Sequence, residues 1–278
     1  MVNQTLSLPS LPSELRDPES AFVAALEAEA RAHRAVNHPY LRALENGVFP
    51  DPRGAILDLT HQYMAYSANF PRYLTATISH LEEPGHRKLL LSNLAEESGV
   101  VGDDETRELA AMGIALEWVA GVPHPLLYRR FLTSAGMDDA WLAAHPFCDE
   151  ATVWGMMFLQ CCRQGAAQSV GALGLGTELI VRHVYAPVLR AIERYVPVSR
   201  QERVFFDLHV GIDDAHGASL ASIAVDLAKE PTERIKLRYG MLMALQLRAA
   251  FYDQMTLRAQ AMTPTASLSS VPATTERA

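Results

Sequence analysis

Residues 205–216 read FFDLHVGIDDAH, and this stretch places three metal-capable side chains at helical spacing. His209, Asp213 and His216 stand at positions i, i+4 and i+7, within an arc of roughly 60° on an α-helix that excludes Asp214. Apolar residues four positions before and after lie on the same stripe, so a core seam is interrupted by polar groups. Burying these groups unpaired would cost roughly 2–7 kcal/mol each, which a bound metal would offset. The alternative is a solvated or internally hydrogen-bonded face.

The remainder of the chain shows helical periodicity. Apolar residues recur at spacings of three and four, and strand-like alternation is hard to find, so we expect an all-α bundle of seven to nine helices. No repeat or Pro/Gly/Ser-rich linker interrupts residues 19–262, which predicts a single helical domain. Residues 1–18 and 263–278 are expected to be a flexible N-terminus and a disordered tail. The predicted helices cover residues 19–46, 52–82, 85–98, 103–114, 124–135, 149–172, 176–196, 201–229 and 231–261.

The composition excludes several functional classes. Lys and Arg total 24 against 32 Asp and Glu, and a net charge of -8 argues against binding to nucleic acid or to an anionic membrane. No signal-peptide pattern and no run of about 18 apolar residues is present, so we expect a soluble, cytoplasmic protein without a membrane partner. The three cysteines, Cys148, Cys161 and Cys162, form neither a disulfide framework nor a zinc clamp and are interpreted as core residues.

Further candidate ligands lie elsewhere in the sequence. Glu178 follows a glycine-rich apolar stretch, where the alternative is an ordinary acid at a helix start. Glu96 and Glu97 each share a stripe with leucines, and periodicity does not choose between them; two exposed acids are the alternative. His124 precedes a proline at the start of a predicted helix, a position that a turn residue also fits. Together these groups provide the carboxylates and imidazoles that a pair of iron or manganese ions requires in a helical bundle. The Glu-x-x-His pair of ferritin-like bundles is absent, which argues against that fold.

These motifs resemble those of the haem-oxygenase-like diiron oxidases, also called iron-containing redox enzymes. The resemblance covers about residues 30–260 and follows the order N-L-x-E-E-x-G (93–99), H-P-x-L-Y-x-x-F (124–131), the glycine-rich helix near Glu178, and H-x3-D-x2-H (209–216). Compared with shorter members of the family, residues 102–121 are inserted. The E-x-G pattern of the family favours Glu97 over Glu96. The ligands that the resemblance implies are Glu97, His124, Glu178, His209, Asp213 and His216.

The resemblance also implies a reaction. Two Fe(II) ions, with manganese as the alternative metal, would use O2 as co-substrate to oxidise a small, amino-acid-derived molecule in natural-product biosynthesis. The reaction would be N-oxygenation, C–C cleavage or desaturation, and a homodimer and an external electron donor are the expected partners. The other functions considered are a metal-free enzyme of the thiaminase or pyrroloquinoline-quinone synthase type, and a non-catalytic iron-binding helical protein.

Substrate contacts are hypotheses at this stage. Arg182 lies one turn after Glu178, and we hypothesise that it pairs with a substrate carboxylate or with a metal-ligating carboxylate; a surface arginine is the alternative. Tyr63, Tyr66 and Tyr128 are interpreted as pocket-lining residues, and aromatic core packing would explain them equally well.

Overall fold

The fold is built from α-helices joined by short turns. The computed structural model describes residues 17–211 and 215–263, and within these ranges it contains helices and no strands. Three short segments deviate from α geometry: 3-10 turns at Leu116–Trp118 and Glu178–Ile180, and a π-helical segment at Gly171–Leu175. The α-helices are α1 (Pro18–Ala32), α2 (Pro39–Glu45), α3 (Pro52–Ser67), α4 (Phe70–Ile78), α5 (Pro84–Glu97), α6 (Asp103–Ala111), α7 (His124–Ser134), α8 (Asp139–Ala144), α9 (Asp149–Cys162), α10 (Ala166–Val170), α11 (Val181–Tyr195), α12 (Val204–Gly211), α13 (Ala215–Leu227) and α14 (Pro231–Gln260).

The single all-α domain is confirmed, but several long predicted helices are interrupted. The helix predicted at 19–46 divides before Pro39, because proline favours the first turn of a new helix and restricts the residue that precedes it. The helix predicted at 149–172 ends after Cys162, and Gly165 adopts a φ of 115°, which L side chains rarely adopt. The helix predicted at 52–82 is divided between α3 and α4, where the second residue of α4 is again a proline.

Helix α14 provides the central surface on which the bundle packs. It contacts α3, α9, α10 and the π-helical segment. A Cβ atom at Gly171 would lie 2.1 Å from the Leu237 carbonyl oxygen, so glycine permits this close backbone approach. Arg248, near the middle of α14, is 1% exposed; its Nη1 donates to the Tyr63 hydroxyl at 3.1 Å, and its guanidinium lies 5.2 Å from the Trp154 ring centroid. Aromatic faces therefore stabilise a buried cation in the core.

Some sequence predictions concern residues that the structure does not describe. The predicted flexible N-terminus and disordered tail fall almost entirely on residues 1–16 and 264–278, outside the described ranges, and they stay predictions. Within the described part of the chain, no helix has both the length and the apolar character needed to span a bilayer.

Candidate metal centre

Three predicted ligands meet where the ends of α5 and α7 approach α12. Glu97 is the last residue of α5, His124 is the first of α7, and His209 lies in α12. One ligand atom from each lies within 4.8 Å of the others. Nδ1 of His124 is 3.0 Å from Oε1 of Glu97, and the two imidazole centroids are 5.2 Å apart. Two imidazoles and one carboxylate thus lie close enough together to bind one metal ion.

A glycine turn brings the first two of these side chains together. Gly99, two residues after Glu97, has a φ of 89°, and a Cβ atom there would lie 2.6 Å from the backbone nitrogen of Val122. The Gly121 amide also donates to the Gly99 carbonyl at 2.8 Å. Positive φ and the close backbone approach both favour glycine, which lets the end of α5 lie against the start of α7.

A backbone hydrogen bond orients His209. Its Nδ1 lies 2.7 Å from the carbonyl oxygen of Phe205. Because a carbonyl oxygen can only accept a hydrogen bond, Nδ1 must carry the proton. The lone pair that a metal would take is therefore on Nε2. The Phe205 ring, with its centroid 4.2 Å from that of the imidazole, packs against His209 and limits its movement.

Glu97, His124 and His209, called the ligand group below, border a cavity of about 290 Å³. Glu178 lines the same cavity and is 8% exposed. It lies in a 3-10 turn between the π-helical segment and α11, not within the continuous helix predicted at 176–196. Such irregular turns are frequent at functional sites. The remaining residues of the lining are Tyr63, Tyr66, Ser67, Phe70, Glu96, Asp104, Glu105, Glu108, Pro125, Tyr128, Thr177, Val181, Tyr185, Phe205 and Leu208.

The tyrosine hydroxyls of the cavity wall bond to other groups of the protein. Tyr128 donates to the Thr60 carbonyl at 2.7 Å, and Tyr185 donates to the Tyr63 hydroxyl at 3.2 Å. Burial raises the pKa of both the Tyr128 and the Tyr185 phenol well above 10.0, so both stay protonated. The Tyr66 hydroxyl lies 3.3 Å from Thr177 Oγ1. Because these hydroxyls are engaged, the rings give the wall a largely apolar character.

The other predicted site residues fall into three groups. Asp213 lies outside the described residues, and so does the side chain of His216. Tyr63, Tyr66 and Tyr128 line the cavity, whereas Arg182 is exposed and is not among the lining residues. Both Glu96 and Glu97 contribute to the lining, and of the two, Glu97 belongs to the ligand group.

Sequence reasoning missed the contribution of α6. Asp104, Glu105 and Glu108 line the cavity from the segment 102–121, whose interpretation as an insertion stays a prediction. Their spacing of i, i+1 and i+4 was a usable signal, because it places all three on one side of a helix. The cysteines do not line the described cavity, and burial raises the pKa of both the Cys161 and the Cys162 thiol.

Comparisons with known proteins agree with this architecture. A family model described as iron-containing redox enzyme matches residues 57–249. The search of curated proteins found no match. A TenA homologue from Pseudomonas syringae pv. tomato aligns over 90% of this chain and 98% of its own, at 14% identity and a TM-score of 0.66. A CADD-like protein of unknown function from Nostoc punctiforme aligns over 87% and 99%, at 14% identity and a TM-score of 0.68.

A third solved structure belongs to a protein whose fold is known by name. It is a domain of unknown function with a haem-oxygenase-like fold from Shewanella denitrificans, aligned over 86% of this chain and 90% of its own at 16% identity and a TM-score of 0.62. At such identities the similarity establishes the fold alone, and it confirms the predicted haem-oxygenase-like bundle.

Proposed function

Because the chain belongs to the family of iron-containing redox enzymes, we propose that it is an O2-dependent non-haem diiron oxidase. The observation that carries this proposal is the convergence of Glu97, His124 and His209 within 4.8 Å at the wall of a cavity. The substrate would be a small, amino-acid-derived molecule, oxidised by N-oxygenation, C–C cleavage or desaturation in natural-product biosynthesis. Cytoplasmic location, a homodimer and an external electron donor belong to the same proposal.

The donor set fits iron. Two imidazoles and a carboxylate are the ligands of many non-haem Fe(II) sites, and manganese is the alternative metal. Glu97 is 5% exposed, and burying a carboxylate is costly unless a cation or hydrogen bonds compensate it. One helical turn earlier, Asn93 is 2% exposed, and neither polar atom of its amide has a hydrogen-bond partner. Buried polar groups beside Glu97 thus support a site that a metal and its surrounding groups would complete.

A second ion would need further ligands. Under the proposal Glu178 contributes a carboxylate from the same cavity lining. Asp213, from the positions between α12 and α13, and His216, near the start of α13, complete the set. When bound, the two ferrous ions would supply the electrons that reduce O2 and so provide the oxidant for the substrate.

The protein's own residues prepare the site for that chemistry. The Phe205 carbonyl holds His209 in one tautomer, and the Glu97 carboxylate holds the His124 ring. The rings of Tyr128 and Tyr185 give their part of the cavity wall an apolar surface, and the raised pKa values of both phenols keep these two side chains uncharged. Each of these residues therefore orients a ligand or limits solvent access.

A metal-free enzyme is the first alternative function, and its only support is the fold that this chain shares with the TenA homologue. In a thiaminase-like mechanism a cysteine would act as nucleophile, but no cysteine lines the described cavity, and burial disfavours the thiolates of Cys161 and Cys162. Two alternatives remain: an enzyme that uses acid–base chemistry without a cysteine, and a non-catalytic iron-binding protein. An experiment distinguishes both from the oxidase.

The experiment is O2 uptake by the Fe(II)-loaded protein with candidate amines, amino acids and carboxylic acids. The proposal predicts uptake that depends on one class of substrate and on iron. Iron retention without substrate-dependent uptake would favour an iron-binding protein, and product formation without iron would favour the metal-free enzyme.

A further inference from the structure

Helix α6 gives the cavity an acidic side. Asp104, Glu105 and Glu108 all contribute to the lining, and α6 lies in the segment 102–121, which is interpreted from the sequence as an insertion. Asp104 is exposed and pairs with Arg107. Glu108 is half-buried, and the described residues contain no ion pair to it.

The charge of the cavity is strongly one-sided. Its lining contains six carboxylates, and among the described residues no lysine or arginine lines it. Two divalent ions would offset the charge of ligands such as Glu97 and Glu178. The carboxylates of α6 would still leave their part of the lining negative, which favours a cationic ligand and disfavours an anionic one.

The rest of the lining offers a different set of contacts. Phe70, Val181 and Leu208 provide apolar surface in the same lining. The cavity therefore suits a molecule that combines a charged group with an apolar body.

We infer that the substrate is a cation: an ammonium or guanidinium group binds the carboxylates of α6, and an uncharged apolar body extends toward the ligand group. This inference rests on the proposed function, because it takes the cavity to be the substrate site. The hypothesis for Arg182 instead paired this residue with a substrate carboxylate. Arg182 is exposed and does not line the cavity, so it offers no cation to a substrate carboxylate inside the cavity. Helix α6 acts as the specificity element.

Binding of three probes with the same body tests the inference. Octylamine, octan-1-ol and octanoate are titrated by calorimetry into the full chain, both metal-free and loaded anaerobically with Fe(II). A charge-assisted hydrogen bond predicts that octylamine binds about tenfold more tightly than octan-1-ol, and that octanoate binds most weakly, in both forms. Equal or tighter binding of octanoate to the Fe(II)-loaded form would overturn the inference.

Two matched variants locate the effect. Glu108→Gln is expected to weaken octylamine binding about tenfold, with octan-1-ol binding and iron stoichiometry unchanged. Glu117→Gln removes the same charge from an exposed position of the segment 102–121 that does not line the cavity, and it is expected to change neither octylamine binding nor iron stoichiometry. Unchanged octylamine binding in Glu108→Gln, or a loss of iron that would make this residue a metal ligand, would overturn the inference.

The two proposals can fail separately. Octylamine binding that depends on Glu108, in a protein that shows no iron-dependent O2 uptake, would reject the oxidase and leave the cation site in place. Substrate-dependent O2 uptake with octanoate and not with octylamine would reject the cation site and leave the oxidase in place.

Discussion

Oε1 of Glu97 and Nδ1 of His124 lie 3.0 Å apart, although 27 positions separate the two residues in the sequence. The segment 102–121 lies within that interval and contributes α6, yet the end of α5 still meets the start of α7 through the contact between Gly99 and Val122. Helix α6 therefore folds beside this pair of residues, where it forms part of the cavity wall.

Neighbouring glutamates provide a direct test of the ligand assignment. Glu97→Gln is expected to lower iron affinity at least about tenfold, because an amide is a much weaker iron ligand than a carboxylate. Glu96→Gln is the matched control and should keep the wild-type stoichiometry. Anaerobic Fe(II) titration measures both, and a loss confined to Glu96→Gln would contradict the assignment.

The turn at Gly99 should be intolerant of a side chain. Gly99→Ala combines a φ of 89° with a contact of 2.6 Å to the Val122 nitrogen, so we expect a loss of more than about 1 kcal/mol in the free energy of unfolding. Weaker iron binding should accompany it. At Gly102, where a Cβ atom would meet nothing within 4 Å, alanine should be tolerated. Urea unfolding compares the two, and equal stability of both variants would show that the turn is not constrained.

The buried Arg248 depends on Tyr63. Tyr63→Phe removes the oxygen that accepts from Arg248 Nη1 at 3.1 Å and from the Tyr185 hydroxyl at 3.2 Å. Leaving these donors unsatisfied should destabilise the protein by about 1–3 kcal/mol. Tyr239→Phe, at a position that is 53% exposed, should have little effect. Matching unfolding midpoints for the two variants would show that the Tyr63 hydroxyl contributes nothing to stability.

A buried histidine should make stability depend on pH. His61 is 2% exposed and packs against Trp141 and Phe147, and burial lowers its pKa below 6.5, although Asp58 opposes the shift. The unfolded state then binds the proton more tightly, so this contribution to stability is complete above pH 6.5 and is lost as the pH falls through the folded-state pKa.

His61→Phe should therefore lose less stability than the wild type between about pH 7.5 and pH 5.5. His183→Phe removes an exposed histidine and should follow the wild-type dependence. Urea unfolding at the two pH values measures the difference. A wild-type dependence that persists unchanged in His61→Phe would assign the effect to other groups.

The fold class could be predicted from the sequence, and three of the six predicted ligands converge in the structure. Breaks between helices and contacts between distant residues were harder to predict. Helical periodicity predicted the bundle, and the predicted helix starts at residues 52 and 231 coincide with the first residues of α3 and α14, both prolines. The division between α1 and α2 was missed because apolar spacing continues across it. The turn that holds Glu178 was missed because its irregular geometry depends on the close packing of Gly171 against α14, a tertiary contact.

The site shows the same limit. Periodicity did not separate Glu96 from Glu97, because adjacent residues on a helix both reach one side of a cavity. The acidic contribution of α6 depends on where the segment 102–121 packs against the rest of the bundle, which local spacing does not determine. Asp213 and the side chain of His216 lie outside the described residues, so their assignment as ligands stays a prediction.

The most direct test of the diiron proposal is anaerobic Fe(II) titration of the wild type, His209→Ala and the exposed control His183→Ala, with iron per chain measured after removal of weakly bound metal. We expect up to two irons per chain in the wild type and in His183→Ala, and a clear loss in His209→Ala. Absence of specific iron binding in the wild type, or equal iron in all three proteins, would contradict the proposal.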